Sequence, residues 1–196
     1  MTARYWAATA AALLVGLSAE AKAAPAPAPA APPAAADFAG RIAQAKVAMM
    51  ADPQGAPFYV AKGLSPAPPP SFPMGTPGTT GWNELMASDW EAAFAFYSKI
   101  FGWTKAEAHD MGPMGIYQLF AAGGPPIGGM MTKPAQVPVA HWGYYFNVDA
   151  VDAGAERITK GGGKIVNGPI EVPGGQWVVQ AVDPQGAHFN LVAPKR

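Results

Sequence analysis

The string Asp-Pro-Gln-Gly stands twice in this chain, at Asp52–Gly55 and at Asp183–Gly186. Each copy continues as Ala-x-Phe and sits between mostly apolar runs, Val47–Met50 and Phe58–Val60 for the first, Trp177–Val182 and Phe189–Leu191 for the second. Pro at the second place of a four-residue turn and Gly at the fourth suit a tight reversal, so each copy predicts a β-hairpin. The copies lie about 130 residues apart, too far for a solenoid repeat and suited to duplicated domains. The first hairpin, residues 41–63, is therefore expected to be the C-terminal remnant of a first domain. Residues 80–196 then hold a complete second one.

The prolines support this division. Residues 24–36 contain five of the 22 prolines and no charge, and residues 64–79 contain six more. Such stretches favour extended spacers and cannot build a core. They are read as an Ala/Pro-rich linker over 24–40 and a Pro-rich linker over 64–79. Ahead of them, residues 1–23 carry Arg4, an uncharged apolar stretch from Tyr5 to Leu17 and a small-x-small exit at Ala21–Ala23. That is the layout of a signal peptide. It implies a periplasmic or secreted protein where the signal is used, and a cytoplasmic one otherwise.

Composition removes several classes of function. Without cysteine there is no disulfide framework and no thiolate metal site. Thirteen Lys and Arg against thirteen Asp and Glu leave no basic footprint for nucleic acid. No apolar run is long enough to predict a membrane span.

Within residues 80–196 one order occurs twice. A strand at Gly81–Ala87 precedes a helix at Trp90–Phe101, with Asp89 as N-cap and Gly102 as stop. Strands follow near Ala106–Met111, Gly115–Ala121 and Ile127–Thr132. A strand at His141–Val148 then precedes a helix at Val151–Lys160, and strands follow at Lys164–Asn167, Trp177–Val182 and Ala187–Val192. The fold class is α+β, two βαβββ modules preceded by a partial hairpin.

Residue strings along this frame resemble the vicinal oxygen chelate superfamily of glyoxalases, bleomycin-resistance proteins and extradiol dioxygenases. They are Trp82-Asn83-Glu84-Leu85 with Ser88-Asp89, Phe96-Tyr97 to Phe101-Gly102-Trp103, Gly128-Gly129-Met130-Met131, Val148-Asp149, Gly168-Pro169 and Asp183-Pro184-Gln185-Gly186. The nearest likeness is to a glyoxalase-like group of tandem-domain proteins. The resemblance implies one vicinal-oxygen-chelate domain, with strands curled around a cleft and helices outside. It also implies metal ligands on four strands. Those positions fall here on Trp82, Gly143, Asn190 and a residue among Gly128–Met131, which offer no carboxylate or imidazole. No metal and no cofactor are therefore expected.

Strand alternation groups Trp82, Glu84 and Met86 with His141, Gly143 and Tyr145, and with His188, Asn190 and Val192, on the cleft face. Trp142, Tyr144 and Phe146 would then form a core layer under a helix. If the two module-starting strands pair antiparallel, Glu84 could face His141 as an acid/base pair or half of a relocated metal site. The methionines at 111, 114, 130 and 131 read as core, or as the wall of an adaptable apolar pocket. His109 beside Asp110 reads as a solvated pair. The expected function is metal-free binding of a small apolar or aromatic ligand by Trp82, Glu84, His141, Tyr145, His188 and Asn190. One alternative is a lyase, isomerase or dioxygenase-type enzyme using displaced cleft residues. Another is an interaction module whose hairpin promotes a homodimer.

Overall fold

A computed structural model describes residues 45–64 and 72–196. The signal-like segment, the first linker and residues 65–71 of the second lie outside the described residues. The Asp-Pro-Gln-Gly reversals form as expected. The first joins β1 (Ala45–Ala51) to β2 (Pro57–Gly63), a two-stranded antiparallel sheet. The second joins β9 (Gln176–Val182) to β10 (His188–Ala193). In each, the leading Asp side chain accepts from the backbone N–H two and four residues on. The distances are 2.8 and 2.9 Å at Asp52, and 2.8 and 2.8 Å at Asp183.

The rest is two βαβββ modules. The first contains β3 (Thr80–Ala87), α1 (Trp90–Phe101), β4 (Thr104–Asp110), β5 (Ile116–Ala121) and β6 (Pro126–Thr132). The second contains β7 (His141–Asn147), α2 (Val151–Lys160), β8 (Lys164–Val172), β9 and β10. Helix α1 starts where the Asp89 carboxylate accepts from the N–H groups of Glu91 and Ala92. It stops where Gly102 takes the left-handed conformation, φ 69°, that an L side chain resists. Strand β8 runs on to Val172, beyond the expected end at Asn167. Its register against β9 shifts twice, once before Asn167 and once across Gly168 and Pro169.

All eight strands of the two modules form one sheet, ordered β4-β5-β6-β3-β7-β10-β9-β8. The modules meet where β3 and β7 pair antiparallel. Helix α1 covers β3 and β6, and α2 covers β8, β9 and β10. Under α1 the core is aromatic: Tyr97 packs at 5.3 Å on Trp103 and Trp142, and Trp103 stacks at 4.4 Å on Phe120. Central β7 lies between the two helices, which corrects the expectation for its outer face. Trp142 enters the α1 core, but Tyr144 and Phe146 stay 42% and 38% exposed because neither helix reaches them.

The β1–β2 hairpin docks on α1. Ala56 and Phe58 are buried, and the Phe58 ring meets Tyr97, Phe101 and Phe96 edge-on at 5.6, 6.0 and 6.4 Å. Burying such a ring contributes roughly 1.5–3 kcal/mol. Asp52, also buried, accepts from the Tyr97 hydroxyl at 3.1 Å. Gln54 serves the helix start with both ends of its amide. Its oxygen takes the N–H groups of Ser88 (2.6 Å) and Asp89 (3.0 Å), and its nitrogen donates to the Asp89 carbonyl at 2.7 Å.

Candidate functional site

The opposite, concave face of the sheet encloses a cavity of about 700 Å³. Every strand of that sheet contributes to its wall, from His109 on β4 to Val172 on β8. The wall is largely apolar, with Met74, Met86, Met111, Met114 and Met131 around Trp82. Unbranched thioethers adapt to irregular shapes, so this wall can close on ligands of more than one outline. Met111 and Met131 are buried in one apolar cluster, with Met114 packed on it, and all three line the cavity; Met130 lies in the α1 core.

One carboxylate lies in this apolar cavity. Glu84 Oε2 accepts from the Tyr117 hydroxyl at 3.1 Å, and Oε1 from the Tyr145 hydroxyl at 3.3 Å. Each tyrosine is itself held by a donor. Trp82 Nε1 donates to the Tyr117 oxygen at 2.8 Å. Gln180 Nε2 donates to the Tyr145 oxygen at 3.2 Å, and Asn167 Nδ2 to Gln180 Oε1 at 3.0 Å. Two chains of hydrogen bonds, from opposite modules, therefore converge on Glu84. The Glu84 side chain is open to the cavity, although it lies deep below the outer surface.

Burial sets the electrostatics. Loss of water raises the Glu84 carboxyl above its ordinary value, and the two tyrosine bonds oppose this only in part. Burial also pushes the Tyr117 and Tyr145 hydroxyls well above theirs, with the Glu84 charge adding to the shift. Both tyrosines thus remain hydrogen-bond donors at neutral pH.

Of the six expected site residues, the cavity gathers Trp82, Glu84 and Tyr145. Asn190 lies beside it. Its Nδ2 donates to the Tyr144 carbonyl at 3.2 Å and stands 3.6 Å from where a Cβ of Gly143 would be. His188 is exposed, and His141 holds its Nδ1 3.1 Å from the Val139 carbonyl. Neither histidine lines the cavity. The expected Glu84–His141 pairing is corrected by the register: Glu84 lies opposite Gly143, and Met86 opposite His141. A two-residue offset keeps both side chains on one face, which alternation alone cannot detect. Tyr117, Gln180, Asn167 and His109 were not singled out for the site. His109 lines the cavity and lies 3.9 Å from Glu107, so it is not merely one of a solvated pair with Asp110.

The overlooked Tyr117 leaves a trace in Gly128-Gly129 on β6, since glycine inside a strand marks a close approach. A Cβ at Gly129 would overlap the Tyr117 ring, and one at Gly128 the Phe120 ring. The two glycines let neighbouring β5 lay one aromatic ring across each face of the sheet.

The sequence comparison agrees with this architecture. The family model described as Glyoxalase/Bleomycin resistance protein/Dioxygenase superfamily matches residues 79–191, more than half of the chain. The chain belongs to this superfamily. It is 35% identical over 118 residues to the protein named "Putative glyoxylase CFP32" of Mycobacterium tuberculosis, covering 60% of this chain and 44% of that protein. It is 33% identical over 152 residues to the anthracycline biosynthesis protein DauV of Streptomyces sp. strain C5, covering 75% and 52%. The chain thus spans about half the length of these relatives. Methylmalonyl-CoA epimerase from Mycobacterium tuberculosis superposes with a TM-score of 0.48 at 15% identity, over 61% of this chain and 91% of that one.

The metal positions that the superfamily implies do not fit a metal here. An indole at Trp82, a hydrogen at Gly143, an amide at Asn190 and Gly128–Met131 supply neither charge nor imidazole. Among the described residues no three His, Asp or Glu gather into an alternative set.

Proposed function

We propose that this glyoxalase-like domain binds a small, mostly apolar and at least partly aromatic molecule in the cavity, without a metal. The observation that carries this reading is the cavity itself. About 700 Å³ of concave space has methionine and aromatic walls, with convergent polar groups at Glu84, Tyr117 and Tyr145. This is the composition of a small-molecule site, in which apolar area supplies affinity and a few polar atoms fix orientation. Superfamily membership leaves the ligand open, because the matched relatives are named for a glyoxylase and for anthracycline biosynthesis. The test is a fluorescence titration of the full chain with naphthalene probes. Saturable quenching that disappears in Trp82→Phe supports the reading, and no saturable binding by any probe refutes it.

A second reading rests on the two converging hydrogen-bond chains. A buried carboxylate with a raised pKa, held by two tyrosines, can take a proton from a carbon acid and return it. Under that reading Glu84 is the base, and the tyrosine hydroxyls stabilise the oxygen on which charge develops. Solvent deuterium appearing in a carbonyl compound with wild type, and not with Glu84→Gln, would favour it over binding alone.

A further inference from the structure

The cavity has an unbalanced charge. Among the described residues that line it, Glu84 is the only Asp or Glu, and none is Lys or Arg. Two lysines adjoin lining residues in sequence, Lys133 before Pro134 and Lys195 after Pro194; neither lines the cavity, and Lys133 donates to the Val137 carbonyl. Glu84 forms no ion pair with a described residue. His109 is the other titratable lining group apart from the tyrosines, and it lies near Glu107.

Each Glu84 oxygen accepts one protein hydrogen bond. A carboxylate has about four acceptor positions, so room remains on the side open to the cavity. Trp82, Tyr117 and Tyr145 line the cavity together with Glu84. Trp82 and Tyr145 pack in one apolar cluster, and Trp82 and Tyr117 in another. Their ring faces carry the partial negative charge that attracts a cation. A buried anion without a counter-charge is unfavourable, and a ligand bearing the opposite charge would relieve it.

We propose that the cavity selects a lipophilic cation, a protonated amine on a flat apolar body, with Glu84 as counter-charge inside a cage of Trp82, Tyr117 and Tyr145. The inference rests on the binding reading above and narrows it to one charge class. It excludes carboxylates and phosphate esters, because no Lys or Arg waits to receive them. It also gives the tyrosines a reason to donate to Glu84: they hold the ionised form in place for the amine.

The experiment compares three probes on one scaffold at neutral pH, a naphthalene bearing an aminomethyl, a hydroxymethyl or a carboxylate group. The full chain should bind the amine at least about tenfold tighter than the alcohol, with the carboxylate weakest. In Glu84→Gln, shown folded by its melting curve, amine and alcohol should bind within about twofold of each other. Acidification that protonates Glu84 should remove the amine's advantage in wild type and leave the alcohol's affinity unchanged. Equal binding of amine and alcohol by wild type overturns the charge selection and leaves apolar binding intact. Tightest binding by the carboxylate also overturns it. Failure of all three probes refutes the binding reading itself. The wild-type comparison stands without any variant.

Discussion

The two Asp-Pro-Gln-Gly turns make an internal experiment, because one side chain does a different job in each. At both sites the Asp carboxylate accepts two backbone N–H groups of its own turn. Asp52 is also 5% exposed and takes a third bond, from Tyr97, whose hydroxyl oxygen in turn accepts from Trp142 Nε1 at 3.0 Å. Hydrogen bonds to a charged group contribute about 1.5–3 kcal/mol, and leaving their partners buried and unpaired costs a similar amount. Asp52→Ala should therefore cost about 3–5 kcal/mol. Asp183→Ala removes two bonds at a more open turn, where water replaces the carboxylate, and should cost about 1 kcal/mol. The first figure is large against what holds the hairpin, which is the Asp52 and Gln54 bonds and the packing of Ala56, Phe58 and Val60. The loss should thus appear as undocking of residues 45–64, with the eight-stranded sheet still folded. Hydrogen exchange reads this directly. In Asp52→Ala the amides of β2 should lose protection by roughly 100- to 4,000-fold, while those of β3 and β7 keep theirs. Asp183→Ala should leave β2 unchanged. Equal protection of β2 in wild type and Asp52→Ala would refute the reasoning, as would equal effects of the two substitutions.

Other outcomes follow from the cavity. Glu84 has a raised carboxyl pKa in the folded chain, so the folded state holds its proton more tightly than the unfolded state does. Its stability contribution is complete below the ordinary value of 4.5 and is lost as pH rises through the folded value. Glu84→Gln should flatten that dependence and raise stability at neutral pH, as melting curves across pH will show; a less stable variant at neutral pH would contradict this. Gly129→Ala drives a methyl into the Tyr117 ring and should cost about 1–3 kcal/mol in denaturant unfolding, with weaker probe binding. Gly143→Ala is the matched control: its Cβ would meet nothing nearer than 3.6 Å, so stability should change by less than about 1 kcal/mol.

The order of elements was legible because each signal was local. Asp89 and Gly102 bracket α1, and both Asp-Pro-Gln-Gly strings fold as the hairpins their turn residues specify. What the sequence could not convey was distance along strands. Alternation places Glu84, Gly143 and His141 on one face, yet pairing register decides which of them meet, and it sets Glu84 against Gly143. Nor could alternation tell that β7 falls between two helices, so Tyr144 and Phe146 looked like core and are half exposed. Tyr117 was hidden for a related reason. Its partner in the site is 33 residues away, and only the paired glycines of β6 hint at the ring laid over them.

These glycines connect the fold to the site. A glycine in a strand interior weakens the strand, and two in succession weaken it further. Here the second makes room for the tyrosine that reaches Glu84, and the first for the phenylalanine that stacks on Trp103 beneath α1. One dipeptide therefore serves the cavity on one face and the core on the other. Filling Gly129 should disturb ligand binding before it disturbs the helix, whereas filling Gly128, whose Cβ would meet the Phe120 ring and also the Asn83 carbonyl of β3, should disturb the packing under α1 first. Probe affinity and near-ultraviolet circular dichroism, measured on both variants, separate the two. If both lost affinity and aromatic packing together, the two faces would be coupled through the strand, and the site could not be varied independently of the fold.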